Sequence, residues 1–147
     1  MNVTLSVPTK AQVVNGGFPV HIAGLGASWS ESQLGDYADR SGVYILHSAG
    51  AILYVGRTIT GESGTFGKRL RRHFQQGASQ NSQVHQLLVA QKTEIRAYLL
   101  DLDDISMMID AASMSLPDDR KALVMEQVLI GIYRPRGNID LPNATKS

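Results

Sequence analysis

The sequence predicts a small α/β sandwich, and three observations carry that expectation. Two β-prone runs, Tyr44 to Leu46 and Ile52 to Val55, flank the small and polar stretch His47-Ser48-Ala49-Gly50-Ala51 and read as an antiparallel hairpin. Phe66, Leu70 and Phe74 recur at every fourth residue, the spacing of a helix with one buried stripe. The segments then follow in the order strand, strand, helix, helix, strand, helix, which suits helices packed on a sheet.

In chain order, the first forty residues read as an irregular extension, with a strand at Val3 to Val7 and a short helix entered at Ser30. There Ser30 and Gln33 have capping-box spacing, in which each side chain satisfies a backbone N–H at the helix start. After the hairpin comes a Gly-rich loop, Thr58 to Gly64, and then the helix from Phe66, which stops before Gly77. Gln75 to Gln83 is a polar connection and Ser82 to Gln91 is helical. Glu94 to Leu100 is a third strand, and Ser115-Leu116-Pro117-Asp118 opens a last helix reaching Tyr133.

Composition narrows the function classes. The chain has 147 residues, 43% of them hydrophobic, enough for one domain with a real core. The longest stretch without Lys, Arg, Asp or Glu, Ala11 to Ser30, is broken by Asn15, Gly16, Gly17 and Pro19, so no membrane span is expected. No secretory leader is evident, and zero cysteines remove disulfides, thiolate metal sites and cysteine nucleophiles together. A cytoplasmic location is the expectation. Net charge is only +1, yet it is unevenly placed: Arg57, Lys68, Arg69, Arg71 and Arg72 crowd one segment, while Asp101 to Asp119 carries six aspartates and no base. A local basic patch of that kind suits polyanion phosphates.

Two helical patterns point to chemistry. On the helix from Phe66, Arg69 and His73 lie four apart on the flank of the buried stripe, positioned either to face a ligand or to rest as boundary residues; Lys68 and Arg72 lie further toward solvent. On the last helix, Glu126 is surrounded at helical spacing by Ala122, Leu123, Leu129 and Ile130. A carboxylate among apolar neighbours needs compensation, by an arginine, by a raised pKa or by a divalent cation. His21, His47 and His85 share no spacing suited to a metal centre and read as structural or surface residues.

These residues converge on a family. Gly42-Val43-Tyr44 and Tyr54-Val55-Gly56 resemble the paired triplets of the GIY-YIG nucleases, with valine in place of isoleucine in both. The resemblance continues through Arg57, Arg69, His73, Glu126 and the Asn138 of Arg134-Pro135-Arg136-Gly137-Asn138, and covers Ser41 to Asn138. Ile59 to Thr65 looks like an insertion, similar to the restriction-enzyme branch. That insertion leaves Arg69, Arg71 and Arg72 as alternatives for the catalytic arginine, of which the four-residue step to His73 favours Arg69. The implied organisation is an N-terminal extension at 1–40, a GIY-YIG-like domain at 41–140 and a tail at 141–147.

The resemblance implies a three-stranded antiparallel sheet flanked by helices, with both tyrosines in one basic cleft. It also implies a metal-dependent endonuclease acting on DNA, RNA remaining open, as a monomer or homodimer. In that picture Tyr44 is the general base, Tyr54 and His73 support it, and Arg69 stabilises the phosphate. Glu126 binds Mg²⁺, for which Mn²⁺ can substitute, and Arg57, Lys68, Arg72 and Asn138 contact DNA or order the site. The competing expectation is a nucleic-acid-binding module of the same fold that does not cleave, which would bind DNA in a salt-sensitive way without metal-dependent turnover.

Overall fold

The computed structural model describes residues 3–21, 31–58, 64–74, 82–110 and 116–139. Its centre is the hairpin of β3 (Gly42–Ser48) and β4 (Ala51–Arg57). Both strands run longer than the apolar runs suggest, because Ala49 and Gly50 alone make the turn, with φ of 51° and 82°. Two positive φ values match the right-handed twist of paired strands, which is why so tight a turn works here. The third strand, β5 (Ile95–Asp101), pairs antiparallel with the other side of β3.

The expected antiparallel sheet flanked by helices is present, with one strand more than anticipated. β2 (Phe18–His21), inside the stretch read as irregular, pairs with β5 and completes the order β2-β5-β3-β4. Pro19 hid it, since proline normally argues against a strand. Pro19 sits opposite Arg96 on an outermost strand, where a missing N–H interrupts no ladder. A second, two-stranded sheet joins β1 (Thr4–Leu5) to β6 (Ile109–Asp110).

Helices cover both faces. On one face α2 (Phe66–Phe74) buries Phe66, Leu70 and Phe74 with Tyr44, Leu46 and Leu99, joined by Val84 and Leu88 of α3 (Ser82–Val89) and by Leu34 from the 3-10 segment Glu31–Asp39. On the other face α5 (Asp118–Tyr133) buries Ala122, Met125 and Leu129 against Val43, Ile45 and Val55. The same layer takes Ile105 of α4 (Leu102–Met108) and Val13 of α1 (Lys10–Val14). Asp118 and Asp119 open α5 where the helix dipole favours acids, and Arg134, left-handed at φ 45°, closes it just before Pro135. A short α6 (Arg136–Ile139) then turns back to the hairpin.

Among the described residues no helix is long and apolar enough to cross a membrane. The helix entry at Ser30, the stop at Gly77, the tail, and the insertion from Ile59 apart from Gly64 and Thr65 lie outside the described residues.

Candidate functional site

Strand register brings the two tyrosines together. Tyr44 faces Gly56 and Leu46 faces Tyr54, so residues 44 and 54 are diagonal neighbours on one sheet face, with ring centroids 6.2 Å apart. Gly56 is what lets Tyr44 lie flat across β4. A Cβ at Gly56 would overlap the Tyr44 hydroxyl and come within 2.5 Å of Tyr44 Cζ and 2.9 Å of Tyr54 Cε2. Gly42 answers to a similar constraint, since a Cβ there would overlap the Leu100 carbonyl oxygen. The glycine at each end of the motif thus has a steric reason, and Thr58 ties the ends together by accepting from Gly42 N–H at 2.9 Å.

α2 packs over the tyrosines, and Tyr44 is fully buried beneath it. Its first turn is fixed by Thr65, whose Oγ1 accepts from Lys68 N–H at 3.3 Å. His73, 3% exposed, places Nε2 2.6 Å from the Tyr44 hydroxyl, and its ring stands edge-on to Tyr44 and Tyr54 at 5.6 and 5.2 Å. Its carbonyl accepts from His85 Nδ1 at 2.8 Å, a role the sequence did not reveal because it uses the backbone of its partner. Arg69 lies on the same flank, and its charge acts on both phenols.

Burial sets the protonation states. It pushes Tyr44 well above the ordinary tyrosine range, helped by Tyr54 and opposed by Arg69. Tyr54 is raised for the same first reason. His73 is pulled down to about 3 by burial and then by the charges of Arg69, Arg72 and His85. At neutral pH Tyr44 and His73 are therefore both uncharged. With Nε2 accepting the phenol proton, the imidazole carries its own hydrogen on Nδ1.

Glu126 comes from the opposite face. α5 packs under β4, an outermost strand, and the Glu126 carboxylate lies beside Arg57, the last residue of that strand. Its charge acts on Tyr44, Tyr54 and Arg69, so it shares their electrostatic environment. Of the three compensations open to it, an arginine is in place: Arg57 Nε lies 3.3 Å from Oε1. Burial still raises its pKa, opposed by Arg57, Gln127 and Arg69. The attraction of the Arg57 charge is the larger part of this contact, since its Nε–H, though 3.3 Å from Oε1, misses hydrogen-bond geometry with every described acceptor.

Among the described residues, three buried polar atoms around these tyrosines have no hydrogen-bond partner: Arg57 Nε, Arg69 Nε and His73 Nδ1. A fourth, Arg96 Nε, belongs to a guanidinium on β5 anchored by Glu94 at 3.1 Å and the Gly17 carbonyl at 2.6 Å. Buried donors without acceptors are costly and uncommon, so a cluster of them marks a place where a ligand completes the bonding. Lys68 stands exposed on α2 and Arg72 half-buried beside it. Asn138 is engaged elsewhere: its Oδ1 accepts from Val55 N–H and its Nδ2 donates to Val55 C=O, both at 2.8 Å. It acts as a further strand residue on the β4 edge and pins α6 beside Tyr54.

Metal-binding capacity is narrow. Among the described residues no three His, Asp or Glu side chains gather. Glu126 is a lone carboxylate whose Oε1 takes Arg57 and Gln127, leaving Oε2 without a hydrogen bond among the described residues. Such a donor fits a cation that keeps most of its water, as Mg²⁺ does, and not one that demands an all-protein cage.

Fold and site together define an α+β domain with a tyrosine–histidine pair, two arginines and one carboxylate gathered toward the β4 edge of the sheet. No family model matches the chain. Over 115 residues, 77% of its length, it is 31% identical to UvrABC system protein C of Geobacter metallireducens. The chain spans about 15% of that protein's length.

Proposed function

We propose that this chain is a GIY-YIG-type nuclease domain that hydrolyses DNA phosphodiester bonds with the help of Mg²⁺. The observation that carries the reading is the cluster of unpartnered donors, Arg57 Nε, Arg69 Nε and His73 Nδ1, around a tyrosine hydroxyl and a lone carboxylate. A phosphodiester offers the anionic oxygens those donors lack. The likeness to a protein of the UvrABC system supports DNA as the substrate.

Hydrolysis needs a base for water, charge stabilisation on the phosphate and help for the departing 3′ oxygen. A free phenolate is not available, because burial holds the proton on Tyr44. Tyr44 instead takes the water proton while passing its own to His73 Nε2, 2.6 Å away. The imidazolium so formed is costly in this buried position, and the charge developing on the phosphate offsets it. Arg69 and Arg57 turn their free Nε–H groups to non-bridging oxygens, and Tyr54 bounds the cleft. Glu126 would hold Mg²⁺ together with water, and the bound ion would supply charge neutralisation for the phosphate and the leaving oxygen. Asn138 acts by holding the edge of β4 and so the position of Tyr54.

Supercoiled plasmid in Mg²⁺ buffer tests this directly. Wild type is expected to nick or linearise it, and Tyr44→Phe and Glu126→Gln to lose about 10²–10⁴-fold in rate. Cleavage by Glu126→Gln at the wild-type rate would remove the carboxylate from the mechanism. Salt-sensitive binding by wild type without any metal-dependent cutting would favour the non-cleaving module instead.

A further inference from the structure

A concavity lies beside β5, away from the β4 edge. A groove of about 580 Å³ runs beside β5, lined by Phe18, Tyr37, Tyr98, Met107 and Met108 with Asp104 at its rim. Met107 is 86% exposed, a large apolar side chain standing in water at the mouth of the groove. Methionines adapt their shape to varied partners, and aromatic rings give area at little entropic cost.

Main-chain direction says what kind of ligand suits it. Gly42 N–H and C=O both bond Thr58, at 2.9 Å each, so residue 42 of β3 faces β4. By strand alternation Val43 faces β5, and its partner Leu100 faces back toward it. Leu99 then turns its N–H and C=O away from β3, toward the groove. β2 would cover them, but its pairing ends at Phe18 opposite Ala97. The next outward N–H, that of Asp101, is taken by the Asp104 carboxylate at 3.3 Å. No described residue bonds Leu99 in this direction, so among the described residues a short stretch of sheet edge is unpaired along an apolar channel.

Charge selects among ligands. Asp103 is exposed on the first turn of α4 and Asp104 lines the groove. The nearby cation, Arg40, is held by Asp101 at 3.0 Å and lies 4.4 Å over the Tyr37 ring. The acidic rim repels phosphates and welcomes a basic flank. We propose that this groove binds an extended peptide of a partner protein, which adds a strand along Leu99, seats apolar side chains against Tyr37, Tyr98 and Met107, and sets a lysine or arginine beside Asp103 and Asp104.

The test is a panel of end-capped hexapeptides that alternate leucine with threonine and end in two lysines or two glutamates. They are titrated into the ¹⁵N-labelled full chain. The lysine peptides are expected to shift the amides of Tyr37, Leu99 and Met107 and to slow exchange at Leu99. Replacing the end lysines by glutamates, or methylating the peptide nitrogen opposite Leu99, should weaken binding about tenfold, the loss of one hydrogen bond or charge contact. Asp103→Lys, which leaves a neutral rim with Asp104, should abolish the preference for lysine peptides without disturbing the fold, since that side chain is exposed. The proposal is overturned if no peptide protects Leu99, if N-methylation has no effect, or if the shifts map to α2. It is equally overturned if Leu99 is already protected in the free protein, which would mean that the chain fills its own groove, or if self-association alone shifts the same amides. Plasmid cleavage is independent of all these outcomes.

Discussion

The β4 edge and the stretch of β5 that β2 leaves uncovered differ in almost every chemical respect. At the β4 edge, arginines and a neutral histidine leave buried donors without acceptors around a carboxylate and two phenols. Along β5 the walls are aromatic and methionine-rich, the rim is acidic, and the unmet groups belong to the main chain. The contrast was already written in the chain, since four of the five bases between Arg57 and His73 lie on α2, while Asp103 and Asp104, capped by Asp101, open α4. A net charge of +1 conceals two surfaces suited to opposite partners.

Gly56→Ala strikes the comparison hardest. A methyl there overlaps the Tyr44 hydroxyl, so it should push the ring from His73, lower cleavage about 100-fold and cost about 1–3 kcal/mol of stability. The groove at β5 should keep its shape, as judged by unchanged amide shifts at Tyr37 and Met107. If cleavage and urea midpoint both survive the substitution, Tyr44 does not need its place over β4.

Acid should act next most strongly. His73 is held neutral when folded, down to about 3 against an ordinary 6.5, so between those values the unfolded chain binds a proton that the folded chain refuses. Stability is complete above pH 6.5 and falls as pH drops toward 3, by up to about 1.4 kcal/mol per pH unit from this group. Urea unfolding across that range should give a shallower decline for His73→Gln, which cannot protonate. Equal slopes for both proteins would mean that the imidazole is not sealed from water.

Asn138→Ala should cost about 1–3 kcal/mol, because it removes both bonds to Val55 and leaves its N–H and C=O short of partners at the β4 edge. Denaturant midpoints measure it, and a change below a few tenths would show that α6 is held by packing alone. Smallest is Lys68→Ala. As an exposed cation on α2 it should weaken DNA binding by a few-fold and reduce the salt slope by about one. An unchanged slope would take α2 out of the DNA contact surface.

What could be read from the sequence was whatever has a short-range pattern. The hairpin, α2 and α5 follow from alternation, from the Phe66-Leu70-Phe74 period and from Pro117 with Asp118, and the structure has them close to those positions. β2 was not legible because Pro19 speaks against a strand unless one knows that the strand lies outermost. α4 is short and acidic, and its signal was the capping pair Asp101 and Asp104, three apart, whose side chains satisfy each other's backbone N–H. Tyr44, Tyr54, Arg69, His73 and Glu126 could be named as candidates in advance, but not that Arg57 faces Glu126 or that His73 receives the Tyr44 hydroxyl. Those depend on strand register and on two helices approaching from opposite faces, which no local pattern encodes.

The central claim is that carboxylate, phenol and arginines serve a single phosphodiester. A crystal of the protein with a short DNA duplex blocked by a phosphorothioate linkage, soaked in Mn²⁺, tests it most directly. Anomalous density beside Glu126, with phosphate oxygens at hydrogen-bond distance, about 3 Å, from Arg57 Nε and Arg69 Nε, is the predicted result. DNA seated away from α2, with Glu126 still paired to Arg57 and no manganese beside it, would contradict the account.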